Sequence, residues 1–308
     1  MIDFASAAAS NRRRSGLLIA LLAFIALATG LALDASGPGL PLFTLGMLGG
    51  TVGGTLLADR SGDAMVLASL RARPVDEAIP EQAQFANLVE EMAVSAGLPT
   101  PRVMLVDDPA PNALATGRDP EHATIAATTG LLATLDRAET QGVVAHEMAH
   151  VGNRDTRIGV VLAVLLGAIA LVADFAWRLG MDDDGNDRDR SFGPIFLLAA
   201  ALAPVASRLV AFAISRQREY LADATAVELT RNPLALASAL ERISSHPRPT
   251  RRGVQGTAHL FFAAPRTTWG DRRRGWLADL WATHPPVADR IARLLAMAGA
   301  GDGSHDHA

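Results

Sequence analysis

Residues 142–155 read Gly-Val-Val-Ala-His-Glu-Met-Ala-His-Val-Gly-Asn-Arg-Asp. His146 and His150 stand four apart, so on a helix both imidazoles leave one face. Val143, Val144 and Val151 supply apolar flanks, and Glu139 sits in an early turn, where negative charge suits the helix dipole. Two imidazoles on one face can hold a metal ion, and Glu147 beside them can act as general base toward water. Zinc suits nitrogen and carboxylate donors with one position left open. Such a site needs a third protein ligand. The metzincin extension would require Gly and His three and six residues after His150, where Asn153 and Thr156 stand. That class is therefore excluded. Residues 215–223 read Ser-Arg-Gln-Arg-Glu-Tyr-Leu-Ala-Asp. Glu219 and Asp223 are also four apart and share a helix face. One of them can bind zinc while the other orients a ligand histidine through its free ring nitrogen.

Sixty-nine positions separate His150 from Glu219, and two apolar blocks lie between them, at 158–173 and 192–207. Two longer uncharged blocks precede the motif, at 16–33 and 35–58. These long blocks reach the roughly 20 residues that cross a bilayer core. The shorter pair reads as a second membrane hairpin helped by tilt or Arg snorkelling. The first block is too long for a signal-peptide core and lacks a cleavage site. Gly46, Gly49, Gly50, Gly53 and Gly54 give small-xxx-small spacing for close helix packing within the chain or in a homo-oligomer. Arginine placement sets the orientation. Only three arginines, Arg178, Arg188 and Arg190, lie in the loop between the last two blocks, against five aspartates. The side of both termini, rich in arginine, is expected to be cytoplasmic. An even number of crossings returns the chain to that side, so His150 and Glu219 can share one ion.

Composition agrees with this division. The 308 residues are 49% hydrophobic and only 19% charged, with a mean hydropathy of +0.21. The net charge of −4 argues against a basic nucleic-acid binder. Cysteine is absent, which excludes disulfides, thiolate zinc sites and thiol catalysis. All 28 basic residues are arginine. The expected organisation is an N-terminal membrane hairpin over 1–58, a first polar half over 59–157, and a second hairpin over 158–214. A second polar half over 215–298 and a frayed tail over 299–308 complete it. In the polar halves, periodicity predicts helices over 81–98, 215–230, 233–244 and 286–297, with a Pro-containing linker at 73–75. It predicts strands over 103–106, 112–116 and 122–128, then a short helix from Thr129 and a second from about Ala138. The fold class is α+β, mainly helical with a small sheet. The tail residues His305 and His307 read as part of the fray.

These segments together resemble the M48 family of zinc metalloproteases, most closely the HtpX-type membrane proteases. The resemblance rests on residues 111–120, 129–132, 142–155, 215–223, 257–262 and 283–291. It implies a zincin-like (gluzincin) domain combined with four transmembrane helices, and one zinc ion per chain held by His146, His150 and Glu219. Glu147 would activate water, and Asp223 would support a ligand. The strand Asn112, Ala113, Leu114 and Ala115 would receive an extended substrate; the family usually carries Phe where Leu114 stands. His284 and Arg290 would steady the oxyanion. The implied partners are polypeptides, chiefly misfolded or damaged membrane proteins, and the lipid bilayer. The implied location is a bacterial inner membrane with both termini and the catalytic part cytoplasmic. A CAAX-type prenyl-peptide protease shares the zinc motif but has more spans. A catalytically silent scaffold or chaperone would not need the complete set of His146, Glu147, His150 and Glu219.

Overall fold

The computed structural model describes residues 41–161, 216–246, 260–262 and 285–302, with scattered positions before 41. Helix α1 spans Leu42–Ser69. Its first half is apolar and glycine-rich, with Leu42, Leu45 and Val52 exposed. Its last turns are anchored. Val66 and Leu67, with Leu70 just beyond the helix, are buried, and Asp63 pairs with Arg102 at 2.7 Å. Arg71 takes a positive φ of 51° and turns the chain into strand β1, Arg73–Pro74. The residues expected as a linker thus add a short edge strand, the position in a sheet that tolerates proline.

Helix α2, Pro80–Ala96, begins with proline in its first turn and stops at Gly97, whose φ of 65° permits a left-handed cap. Strands β2 (Arg102–Val106), β3 (Ala113–Thr116) and β4 (Thr124–Thr128) follow. The sheet order is β1-β2-β4-β3, with β2 and β4 parallel and β3 antiparallel to β4. Helix α3, Thr129–Thr134, is capped by the Thr128 hydroxyl. It starts so close to the 108–110 turn that a Cβ at Gly130 would lie 2.2 Å from the Pro109 carbonyl oxygen.

Helix α4, Arg137–Gly152, carries the histidine motif and opens with a reciprocal cap between Asp136 and Glu139. It packs against α2, β3, α5 (Arg216–Thr230) and α6 (Pro233–Ser245). Helix α7, Val287–Asp302, lies against α6 and α5. The main core joins Phe85, Leu88, Val89 and Met92 of α2 to Val143, Val144 and Met148 of α4 and Leu236 and Leu240 of α6. A smaller core seats Phe261 among Val66, Leu67, Leu70, Val106, Leu114 and Ala126. After α4 the chain turns at Asn153 and Arg154, the latter at φ 58°, and is helical again over 155–161. Arg157 there grips Asp59 of α1 through two hydrogen bonds of 3.0 and 2.8 Å.

The mainly helical domain with a small sheet is therefore present. Among the described residues, no helix is long and apolar enough to cross a membrane. Helix α1 covers most of the block at 35–58, but its remaining length carries Asp59, Arg60 and Asp63. The block at 16–33 is described only at scattered positions, and the hairpin over 158–214 lies outside the described residues beyond 161.

Candidate metal centre

His146 and Glu147 are buried in the middle of α4, and His150 is partly buried one turn on. The two Nε2 atoms stand 3.1 Å apart and the rings meet edge to face. Helix α5 brings Glu219 across, with one carboxylate oxygen 3.7 Å from each Nε2. One donor atom from each of the three side chains falls within 4.8 Å of the others. Glu219 and Asp223, four apart on α5, take different positions. Glu219 faces the Nε2 atoms, whereas Asp223 lies 2.9 Å from Nδ1 of His146, on the opposite edge of the ring.

Each ring is held from behind. His146 gives Nδ1 to Asp223, and His150 gives Nδ1 to Asp155 at 3.0 Å. A neutral imidazole donating through Nδ1 presents a lone pair at Nε2. Two imidazoles converging beside a buried carboxylate form a donor set that fits zinc, which must displace any proton held there. Burial pushes the Glu147 carboxyl above its ordinary range, against the two histidines and an N–H from Ala115, which favour its charged form. Burial would likewise raise Asp223, but the Arg290 guanidinium holds it below the ordinary carboxylate range.

A profile of peptidase family M48 matches residues 80–298. The chain belongs to peptidase family M48. It is a metallopeptidase of that family, and its cofactor is zinc. Among its relatives, the protein named Protease HtpX homolog of Levilactobacillus brevis is 39% identical over 94% of this chain and 98% of its own. That of Pyrococcus furiosus is 40% identical over 92% and 95%, and that of Caldanaerobacter subterraneus 42% over 78% and 80%. A crystal structure of S. mikatae Ste24p aligns with a TM-score of 0.49 at 17% identity. That alignment covers 94% of this chain and 66% of the other, just under two thirds of its length.

The structure also places other residues that the resemblance implicates. Arg290 is fully buried on the Nδ1 side of His146. Its Nε and Nη2 donate to Asp223 at 2.9 and 2.6 Å. Nη1 donates to the Phe262 carbonyl at 3.3 Å and lies 3.5 Å from Glu219. These contacts hold Arg290 against Asp223, Glu219 and the Phe262 carbonyl, beside His146. Its expected companion His284 lies outside the described residues. The strand expected to take substrate is also partly occupied. β3 is last in the sheet order, but the Ala113 carbonyl accepts from Phe262 N–H at 2.8 Å and Leu114 bridges Phe261. The Ala115 N–H faces Glu147. Asn112 and Leu114 turn their backbone toward β4.

Sequence reading gives neither Asp155 nor Arg218 a place in the site, counting Arg218 only among the arginines expected on the cytoplasmic side. Asp155 stands five residues after His150, off the helical face, and only the turn at Arg154 folds it back. Arg218 precedes Glu219 and reads as an ordinary surface arginine of a ligand helix.

Proposed function

We propose that this chain is an integral membrane zinc endopeptidase that cuts polypeptides, chiefly misfolded or damaged membrane proteins, on the cytoplasmic side of a bacterial inner membrane. The observation that carries the catalytic part is the convergence of His146, His150 and Glu219 with Glu147 beside them, in a site closed off by α4, α5 and Phe262. The membrane part is supported by the four uncharged blocks and the arginine asymmetry, and by the exposed leucines along the first half of α1. In this reading the domain boundaries follow the blocks, with the polar halves 59–157 and 215–298 building one site between two hairpins.

Zinc at this site supplies Lewis-acid polarisation of water and of the scissile carbonyl. Glu147, kept basic yet easily protonated, takes the proton from water and hands it to the leaving amine. Asp223 and Asp155 orient His146 and His150 through their Nδ1 atoms, so that both Nε2 atoms face the metal position. His284 and Arg290 are the candidates to steady the oxyanion. An extended substrate adding to β3 takes the place of Phe261 and Phe262 along Ala113.

Glu147→Gln tests the reading. The detergent-purified full chain should hold about one zinc and hydrolyse casein in a chelator-sensitive way. The variant should keep the zinc and lose hydrolysis by about 10²–10⁴-fold. Undiminished hydrolysis with zinc bound would sink the mechanism.

A further inference from the structure

The two histidines are held by matching relays of carboxylate and arginine. His146 leans on Asp223, which Arg290 grips. His150 leans on Asp155 at 3.0 Å, and the other oxygen of Asp155 lies 3.3 Å from Nη1 of Arg218. We propose that Asp155 is the positioning residue for His150 and that Arg218 acts through it, forming a second relay that sets zinc affinity. This rests on the zinc-peptidase reading and deepens it.

The alternative is that Asp155 merely starts the 155–161 helix and pairs with a convenient arginine. Burial argues against it. Asp155 is 7% exposed and Arg218 9%. The buried Nε and Nη2 atoms of Arg218 find no hydrogen-bond partner among the described residues. Buried donors left in this way weigh against folding. A buried ion pair is also a weak source of stability, often matched by apolar side chains of similar volume. A pair kept under those terms, with one carboxylate oxygen on the free nitrogen of a metal-ligating ring, is placed for the ring. A carboxylate on that nitrogen fixes the tautomer and orientation and makes the opposite nitrogen a better donor. The connection also spans elements: Asp155 follows α4, and Arg218 shares α5 with Glu219. The relay therefore ties the second histidine to the helix bearing the third ligand.

The test is zinc affinity of the purified full chain, measured by competition with a chromophoric chelator, together with the visible absorption of the cobalt-substituted protein. Asp155→Ala should weaken zinc by about 10–100-fold and alter the cobalt bands. Asp155→Asn keeps an oxygen facing Nδ1 and should regain most of that loss. Arg218→Met should weaken zinc less than Asp155→Ala, and the double variant should be no worse than Asp155→Ala alone, because the arginine acts only through the carboxylate. Unchanged affinity in Asp155→Ala, no recovery in Asp155→Asn, or additive losses in the double variant would overturn the relay. Wild type and Glu147→Gln run alongside. If both take up zinc, any such failure belongs to the relay; if neither does, the zinc reading falls and the relay with it.

Discussion

At the residue scale, Arg290 is the most heavily committed side chain described. It sits among Asp223, Glu219 and His146, and its own charge is favoured by these acids against the cost of burial. Removing a buried cation while leaving its carboxylates in place costs about 3–5 kcal/mol. Arg290→Met should therefore lower stability by that order in denaturant unfolding and loosen zinc, through Asp223. An oxyanion donor would behave otherwise: its loss would reduce kcat while stability and zinc content stayed near wild type. The histidine pair and Glu147 were legible from three letters of sequence, because helical spacing alone puts them together. The partner of Arg290 was not legible, since 67 positions separate it from Asp223.

At the element scale, most of the helices and strands were visible in local signals: Pro80 and Gly97 bound α2, and Asp136 with Glu139 opens α4. What local signals missed was pairing. Arg73–Pro74 joins the sheet only because α1 delivers it beside β2. Phe261 and Phe262 line β3 only because both rings find cores on either side of it. The α3 start offers a test of such close approach. Gly130→Ala would drive a methyl group into the Pro109 carbonyl, and backbone must move to relieve it. Overpacking of this kind costs about 1–3 kcal/mol, which should appear as a lower thermal midpoint. A midpoint equal to wild type would mean that the 108–110 turn yields freely.

At the scale of the whole molecule, a metal held by His146, His150 and Glu219 would join segments on either side of the 158–214 stretch. Chelation should lower the thermal midpoint by about 5–10 °C, as expected for loss of a ligand held well above its dissociation constant in a chain of this size. The gap should also depend on pH. Burial works against a charged His150, but Asp155, Glu219 and Glu147 outweigh it and push the group up from 6.5 to about 9 in the metal-free chain. Its proton then stabilises the metal-free fold fully below pH 6.5, and that contribution is lost as pH rises through about 9. Zinc must displace the same proton, so its binding strengthens over the same range. Differential scanning of chelated and zinc-loaded protein should show the two midpoints moving apart from pH 6.5 to 9; a constant gap would exclude a proton at His150. The sequence alone determined the chemistry, because two histidines and a glutamate at helical spacing need nothing beyond their own helix to converge. Only the tertiary structure decided that Glu219 lies beside both Nε2 atoms, that Arg290 meets Asp223 and Asp155 meets His150, and that β3 already has a neighbour. Those outcomes depend on how helices far apart in the chain pack, and no local period encodes that.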